Sequence, residues 1–408
     1  MTLFRVVMII AVLLAASVNP MQAQEQDRPR LLLISFDGFR YDYLGRAETP
    51  NFDRFIEGGV QSEGLMPVFP TKTFPNHYAI VTGLYPENSG IIANTMYDPE
   101  WERWYRIGDR EAVEDPRWYQ GEPIWNTAEK QGVTTGTMFW IGSEAPIQGM
   151  RPTYWKRYYG SMPERARIDT VVSWFTREKN PVDLATLYFE LVDDAGHDYG
   201  LYSDSLDAAI RKSDRLLGYL KQRLTEADLW DAVNILIVSD HGMVELSEQR
   251  IIVLDEIIDL DKVERIVWDP VTMIQPEKGS EELLYRRLKR AENHYRIYRK
   301  EDLPEKYHLK DHRRVPDLLM IAEPGYAIID RSYRSRFLER LPAADHGYDN
   351  HSEKMQAFFA ARGPAVVSGK RMERIEVVDL YELMCRIMNI VPAPNDGSMD
   401  GLRMLLTE

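Results

Sequence analysis

The chain has 408 residues, is 44% hydrophobic and 28% charged, and carries a formal charge of −14. That composition supports a large folded core and excludes a disordered or collagen-like chain. The acidic balance disfavours long nucleic acids as partners, since these bind basic surfaces. An acidic protein that acts on a phosphate needs a strong local positive charge, and bound metal is the obvious supplier.

In chain order, the first segment concerns export. Arg5 is the only charge before Glu25, and the apolar run from Val6 to Ala16 is short of the about 20 residues that span a bilayer. With the small residue Ala23 behind it, residues 1–23 read as a cleavable secretory signal, an uncleaved anchor being the competing reading. The expected location is periplasmic or secreted, with no stable membrane insertion of the mature chain. The single cysteine, Cys385, excludes an internal disulfide and sits in an apolar helical pattern as a small core residue.

Continuous apolar runs at 31–36 (LLLISF), 185–192 (ATLYFELV) and 233–239 (VNILIVS) predict strands buried on both faces. Pro50 after Thr49 starts a helix that Gly58 and Gly59 close. Residues 204–224 place Leu206, Ala209, Ile210, Leu216, Leu217, Leu220 and Leu224 near one helical face, with Ser203 as N-cap. Strands alternating with helices predict an α/β fold with a mostly parallel sheet. Residues from about 260 to 345 are more charged and less periodic, as expected of an insertion into a single domain spanning 24–408.

Chemistry-bearing residues fall where the predicted strands end. Asp37 follows the first strand, Asp193 and His197 the second, and Asp240 and His241 the third, while His346 opens HGYDN. In open α/β sheets ligands bind beyond the carboxyl ends of the strands, and this nitrogen and oxygen donor set suits zinc. Singly, each is an ordinary turn or cap residue; the argument lies in their convergence on one sheet edge. Thr73, before Pro75 and an apolar helical pattern ending at Gly83, reads either as a plain N-cap or as a nucleophile at a helix start that favours negative charge.

The segments SFDGFRYDYL, TPNFDRFIEGGV, PVFPTKTFPNHYAIVTGLYPENSGIIANTMYDP, WYQGEPIWNTAEKQG, LYFELVDDAGHDYG, VSDHGM and HGYDN, with YELMCRIMNIVPAPNDGS near the end, carry a resemblance. In this order they resemble the nucleotide pyrophosphatase/phosphodiesterase family of the alkaline phosphatase superfamily. The resemblance implies an alkaline phosphatase-like three-layer α/β/α sandwich and two zinc ions per chain. One ion would be held by Asp37, Thr73, Asp240 and His241, the other by Asp193, His197 and His346. His351 and His77 fall outside both sets. The resemblance also implies Thr73 as nucleophile, forming a phospho-intermediate, and Asn94 as a donor to a phosphate oxygen, assisted by the backbone N–H at Phe74. Phe74 and Tyr188 would sandwich a nucleobase, with Trp140 and Tyr158 beside them. Some relatives have proline after the tryptophan, where this chain has Ile141.

The expected substrate is a small nucleotide diester or anhydride. Relatives that cleave choline phospholipids share the metal motifs and form the alternative; a phosphomonoesterase or a non-catalytic zinc-binding protein are further ones. Sulfatases need a C/S-x-P-x-R context that is absent.

Overall fold

A computed structural model describes residues 28–339 and 342–407. The expected signal at 1–23 lies outside the described residues; within them, no helix is long and apolar enough to cross a membrane.

The three apolar runs become the centre of an eight-stranded sheet. Its strands are β1 (Arg30–Phe36), β2 (Val60–Ser62), β3 (Thr135–Met138), β4 (Tyr154–Lys156), β5 (Leu184–Phe189), β6 (Val233–Val238), and, after the four strands of the later insertion, β11 (Phe359–Arg362) and β12 (Lys370–Met372). Their spatial order is β12-β2-β11-β6-β1-β5-β3-β4. β1 pairs in parallel with β5 and β6, Ile34 lying opposite Leu187 and Ile237. Only β11 runs antiparallel to its neighbours β6 and β2.

Alternation along β1 explains why the run is apolar but for Ser35, whose buried hydroxyl bonds His77. Leu31 and Leu33 enter a core with helices α2 (Thr73–Thr82), α3 (Ile124–Lys130) and α9 (Asp379–Met388). Leu32, Ile34 and Phe36 enter the opposite core, with α1 (Pro50–Glu57), α4 (Glu164–Phe175) and α6 (Asp204–Glu226). Side chains of a strand alternate between faces, so a strand covered on both sides has no polar positions to spare. The result is three layers. Ser203 caps α6, its hydroxyl accepting from the Leu206 N–H at 3.1 Å. Pro50 opens α1 as expected, although the Thr49 side chain makes no capping bond. Cys385 is buried in α9.

The charged region between β6 and β11 builds its own antiparallel sheet, of order β7-β8-β10-β9. These strands are β7 (Val263–Val267), β8 (Val271–Pro276), β9 (Tyr295–Arg299) and β10 (Leu318–Ala322). Helix α7 (Glu281–Arg290) packs Leu284 and Leu288 against Ile274, Ile297, Leu318 and Met320. The chain leaves and re-enters at one place: Val244–Glu245, just past His241, pairs with Ala344–Asp345, just before His346.

Candidate metal centre and active site

Because β6, β1 and β5 are adjacent and parallel, their carboxyl ends present Asp37, Asp240 and His241 side by side. Asp193 and His197 come from the first turns of α5 (Leu191–Tyr199), which follows β5 directly. An i, i+4 spacing puts those two on one helix face, with His197 Nε2 3.4 Å from Asp193 Oδ2. Gly38 makes the crowding possible: it has φ +67°, and a Cβ there would lie 2.9 Å from Asp193. Its N–H donates to Asp240 Oδ1 at 3.1 Å, fixing one carboxylate against the turn that carries another.

The potential ligand atoms form contiguous groups. Asp193, His197 and His346 lie within one metal-sized cluster, and Asp37, Asp193 and His241 form a second. Asp37, Asp240 and His77 form a third. Thr73 Oγ1 sits 3.4 Å from His241 Nε2. All seven proposed ligands therefore converge.

Two features fit this cluster to cations. First, Asp37 Oδ1, Asp193 Oδ1 and Asp240 Oδ2 are buried without a hydrogen-bond partner, a costly arrangement for carboxylates unless positive charge faces them. Second, the imidazoles are tethered by one nitrogen each. His197 Nδ1 bonds Ala344 O at 2.9 Å, His241 Nδ1 bonds Gly242 O at 3.0 Å, and His346 Nδ1 bonds Thr71 O at 2.8 Å. A carbonyl only accepts, so each Nδ1 must donate, and each Nε2 is turned toward the carboxylates as metal-binding histidines require. His241 Nε2 lies 2.9 Å from Asp240 Oδ2 and 3.5 Å from Asp37 Oδ1, a spacing that calls for a proton or a metal between them.

The electrostatics agree. Burial, reinforced by Asp240 and Asp193, pushes the Asp37 carboxyl well above its ordinary range. Burial also raises Asp193, against the pull of His197 and His241. For Asp240 burial acts in the same upward sense, but His241 and His77 outweigh it and hold the carboxyl well below the usual range. Burial lowers His346, helped by His241 and Lys72, which keeps its imidazole neutral and able to ligate.

His77 joins a buried network instead of offering a free nitrogen. Its Nδ1 bonds Thr73 O at 2.9 Å and its Nε2 bonds the Ser35 hydroxyl at 2.8 Å. His351 is exposed and bonds Asp349 and Asn350.

Thr73 is not the helix cap. Lys72 holds the N-cap position of α2 and Thr73 is its first helical residue, with the hydroxyl turned to the cluster instead of to a backbone N–H. The backbone N–H of Phe74 is not free to support a phosphate oxygen either, because it donates to Asn94 Oδ1 at 2.9 Å. That bond leaves the Asn94 amide group as the donor aimed elsewhere, so the two expected donors collapse into one.

A cavity of about 400 Å3 adjoins the cluster, lined by Thr73, Phe74, Asp37 and Asp193 on one side and by Tyr188, Trp140, Tyr158 and Glu144 on the other. The aromatics differ in what they offer. Tyr188 packs edge-on to His77, and its phenol donates to Asp37 Oδ2 at 2.5 Å. Phe74 is half-buried and Tyr158 is 40% exposed, so both have ring surface to give. Trp140 does not: it is 1% exposed, stacks edge-on against His77 and donates its indole N–H to the His77 carbonyl. It supports the wall and has no open face for stacking.

One charged group escaped the sequence reading. Lys72 is buried and bridges Asp269 of the insertion at 2.6 Å and Asp345 at 3.3 Å. Burial works against its charge, but Asp269 and Asp345 prevail and raise its pKa. Its backbone adjoins Thr73, and Gly347, at φ +106°, leaves room for the lysine stem, since a Cβ there would fall 2.2 Å from Lys72 Cε.

Comparison with known proteins agrees with the geometry. A family described as type I phosphodiesterase / nucleotide pyrophosphatase matches residues 31–349. Ectonucleotide pyrophosphatase/phosphodiesterase family member 5 of Homo sapiens is 37% identical over 395 residues, covering 97% of this chain and 82% of that protein. The bis(5'-adenosyl)-triphosphatase enpp4 of Xenopus laevis is 37% identical over 93% of this chain and 82% of its own length. The solved structure of an inactive murine ectonucleotide pyrophosphatase/phosphodiesterase 5 in complex with AMP superimposes with a TM-score of 0.88 at 36% identity, covering 93% of this chain and 100% of that one. The three-layer fold is thus the alkaline phosphatase-like one, and the chain belongs to the type I phosphodiesterase/nucleotide pyrophosphatase family of hydrolases.

Proposed function

We propose that this chain is an exported, two-zinc nucleotide phosphodiesterase that uses Thr73 as its nucleophile and prefers nucleotide diesters and dinucleoside polyphosphates. The observation that carries the reading is the buried cluster of partnerless carboxylate oxygens and inward-turned imidazoles around the Thr73 hydroxyl. The names of relatives, a bis(5'-adenosyl)-triphosphatase among them, support the substrate class.

Asp37, Thr73, Asp240 and His241 would hold one ion, and Asp193, His197 and His346 the other. Bound there, the pair would lower the pKa of the attacking hydroxyl and spread the charge of the transferring group. Thr73 Oγ1 gives up its proton and attacks phosphorus in line, the bond to the leaving oxygen breaks, that oxygen is protonated, and a diester joining Thr73 to the nucleotide remains. Water then cleaves that ester, restoring the Thr73 hydroxyl and releasing a nucleoside monophosphate. Asn94, held by the Phe74 N–H, presents its amide to a non-bridging oxygen. His77 ties the Thr73 carbonyl to Ser35 of β1 and so fixes the nucleophile's backbone against the sheet. Phe74, Tyr188 and Tyr158 offer apolar surface to a base, worth about 1–3 kcal/mol by stacking and tolerant of base identity.

Parallel measurement of a nucleotide diester, a phosphate monoester and a phosphocholine ester tests the reading. The nucleotide is expected to give the highest kcat/KM. A phosphocholine ester that outruns it would overturn the base pocket and leave the metal chemistry standing.

A further inference from the structure

We propose that a second cavity, reaching Asp345 next to His346, binds the departing half of the substrate through its base. The inference rests on the phosphodiesterase reading above and adds a subsite to it. The cavity measures about 520 Å3 and is walled by Trp268, Tyr333 and Phe337, with Asp269, Asp330 and Asp345 among its polar lining.

Its position follows from two lining residues. Asp345 immediately precedes His346, and Asp269 is paired with Lys72, which immediately precedes Thr73. The first cavity, by contrast, meets the cluster through Thr73, Asp37 and Phe74. An in-line displacement sends the leaving oxygen away from the attacking hydroxyl. With the retained nucleoside held beside Phe74, the leaving group extends over Asp193, His197 and His346, toward the second cavity.

The wall offers a stacking surface to an aromatic base. Trp268 is 40% exposed and Tyr333 45% exposed, so both have ring surface available for stacking. Asp269, Asp330 and Asp345 make its polar floor acidic, the first and last of them already paired with Lys72. Such a floor repels further phosphate but accepts hydrogen bonds from the exocyclic amine of a purine. A dinucleoside polyphosphate therefore gains from this cavity, whereas a nucleoside triphosphate, whose leaving group is bare pyrophosphate, does not.

The experiment compares diadenosine triphosphate, ATP and a phosphocholine ester on the wild-type enzyme and on Tyr333→Leu and Phe337→Leu, with melting temperatures as a check on folding. The expected result is a drop of about tenfold in kcat/KM for diadenosine triphosphate, with ATP unchanged. Equal losses on both substrates, or no loss on either in both variants, overturn the subsite while leaving nucleotide hydrolysis intact. A loss confined to a phosphocholine ester overturns it in favour of an organic cation. A wild-type enzyme that hydrolyses neither nucleotide removes the reading beneath the proposal, and the proposal with it.

Discussion

The phenol of Tyr188 donates to Oδ2 of Asp37, so a ring that lines the cavity beside Thr73 also holds a carboxylate of the candidate metal cluster. The two roles separate by substitution. Tyr188→Phe keeps the ring and removes the donor, so kcat/KM should fall on nucleotides and on a small base-free diester alike, by about tenfold for a hydrogen bond to a charged group. Tyr188→Ala should add a further loss seen only with nucleotides. Kinetics on both substrates, with zinc titration of each variant, check the split; an unchanged Tyr188→Phe would show that the bond is idle.

Thr73→Ala should lower turnover by several orders of magnitude at little cost in stability. A lost N-cap costs about 1 kcal/mol, but Lys72 occupies the cap position and the Thr73 hydroxyl faces the cluster. Denaturant titration and turnover on one preparation decide it. Near-normal turnover would remove Thr73 from the chemistry.

Asn94→Ala removes the proposed substrate donor and also leaves the Phe74 N–H without its acceptor. Turnover should fall about 100-fold or more, as for loss of a donor to a developing oxyanion. Asn94→Asp keeps an acceptor for Phe74 but offers the phosphate no donor, so its activity should be no better. Recovery of activity in Asn94→Asp would mean that the residue acts only by fixing Phe74.

Chelation should abolish activity and lower the melting temperature together, because the buried carboxylates of Asp37, Asp193 and Asp240 then face one another uncompensated. Zinc should restore both. Asp193→Ala should bind fewer than two ions by elemental analysis. Full activity in exhaustively chelated, metal-free protein would sink the two-ion reading.

Away from the site, burial pushes the Asp379 carboxyl at the start of α9 up to about 6. A carboxyl whose folded pKa is raised contributes stability that is complete below its unfolded pKa of about 4 and lost as pH rises through 6. Asp379→Asn, which mimics the protonated form and still can accept from the Ser398 N–H, should therefore stabilise the protein above pH 6. The gain should be about 1 kcal/mol after allowance for solvent screening, and none should remain below pH 4. Melting curves across that range check the sign.

The central strands and the residues at their ends were legible because burial on both faces leaves an unbroken apolar run, and the run stops where chemistry begins. Leu31–Phe36 followed by Asp37 is such a case, as is Val233–Val238 before Asp240. Side-chain direction was not legible. The same Thr73 sequence suits a cap or the first helical residue, and only the fold turns its hydroxyl to His241. Trp140 has the composition of a stacking residue, but its N–H is spent on His77 O in the core. Lys72 finds its carboxylates in Asp269 and Asp345, on the insertion and at its return, a pairing that no local pattern in the chain announces.

That ion triad makes the insertion a structural partner of the reaction centre. Asp269 comes from the hairpin between β7 and β8, and its hold on Lys72 ties the small sheet to the start of α2, beside Thr73. A change that tilts that hairpin pulls on the peptide next to Thr73. The small sheet is thus free to diversify in sequence only while it keeps its orientation, and kinetic defects are to be sought in variants of its hairpin that never approach a substrate.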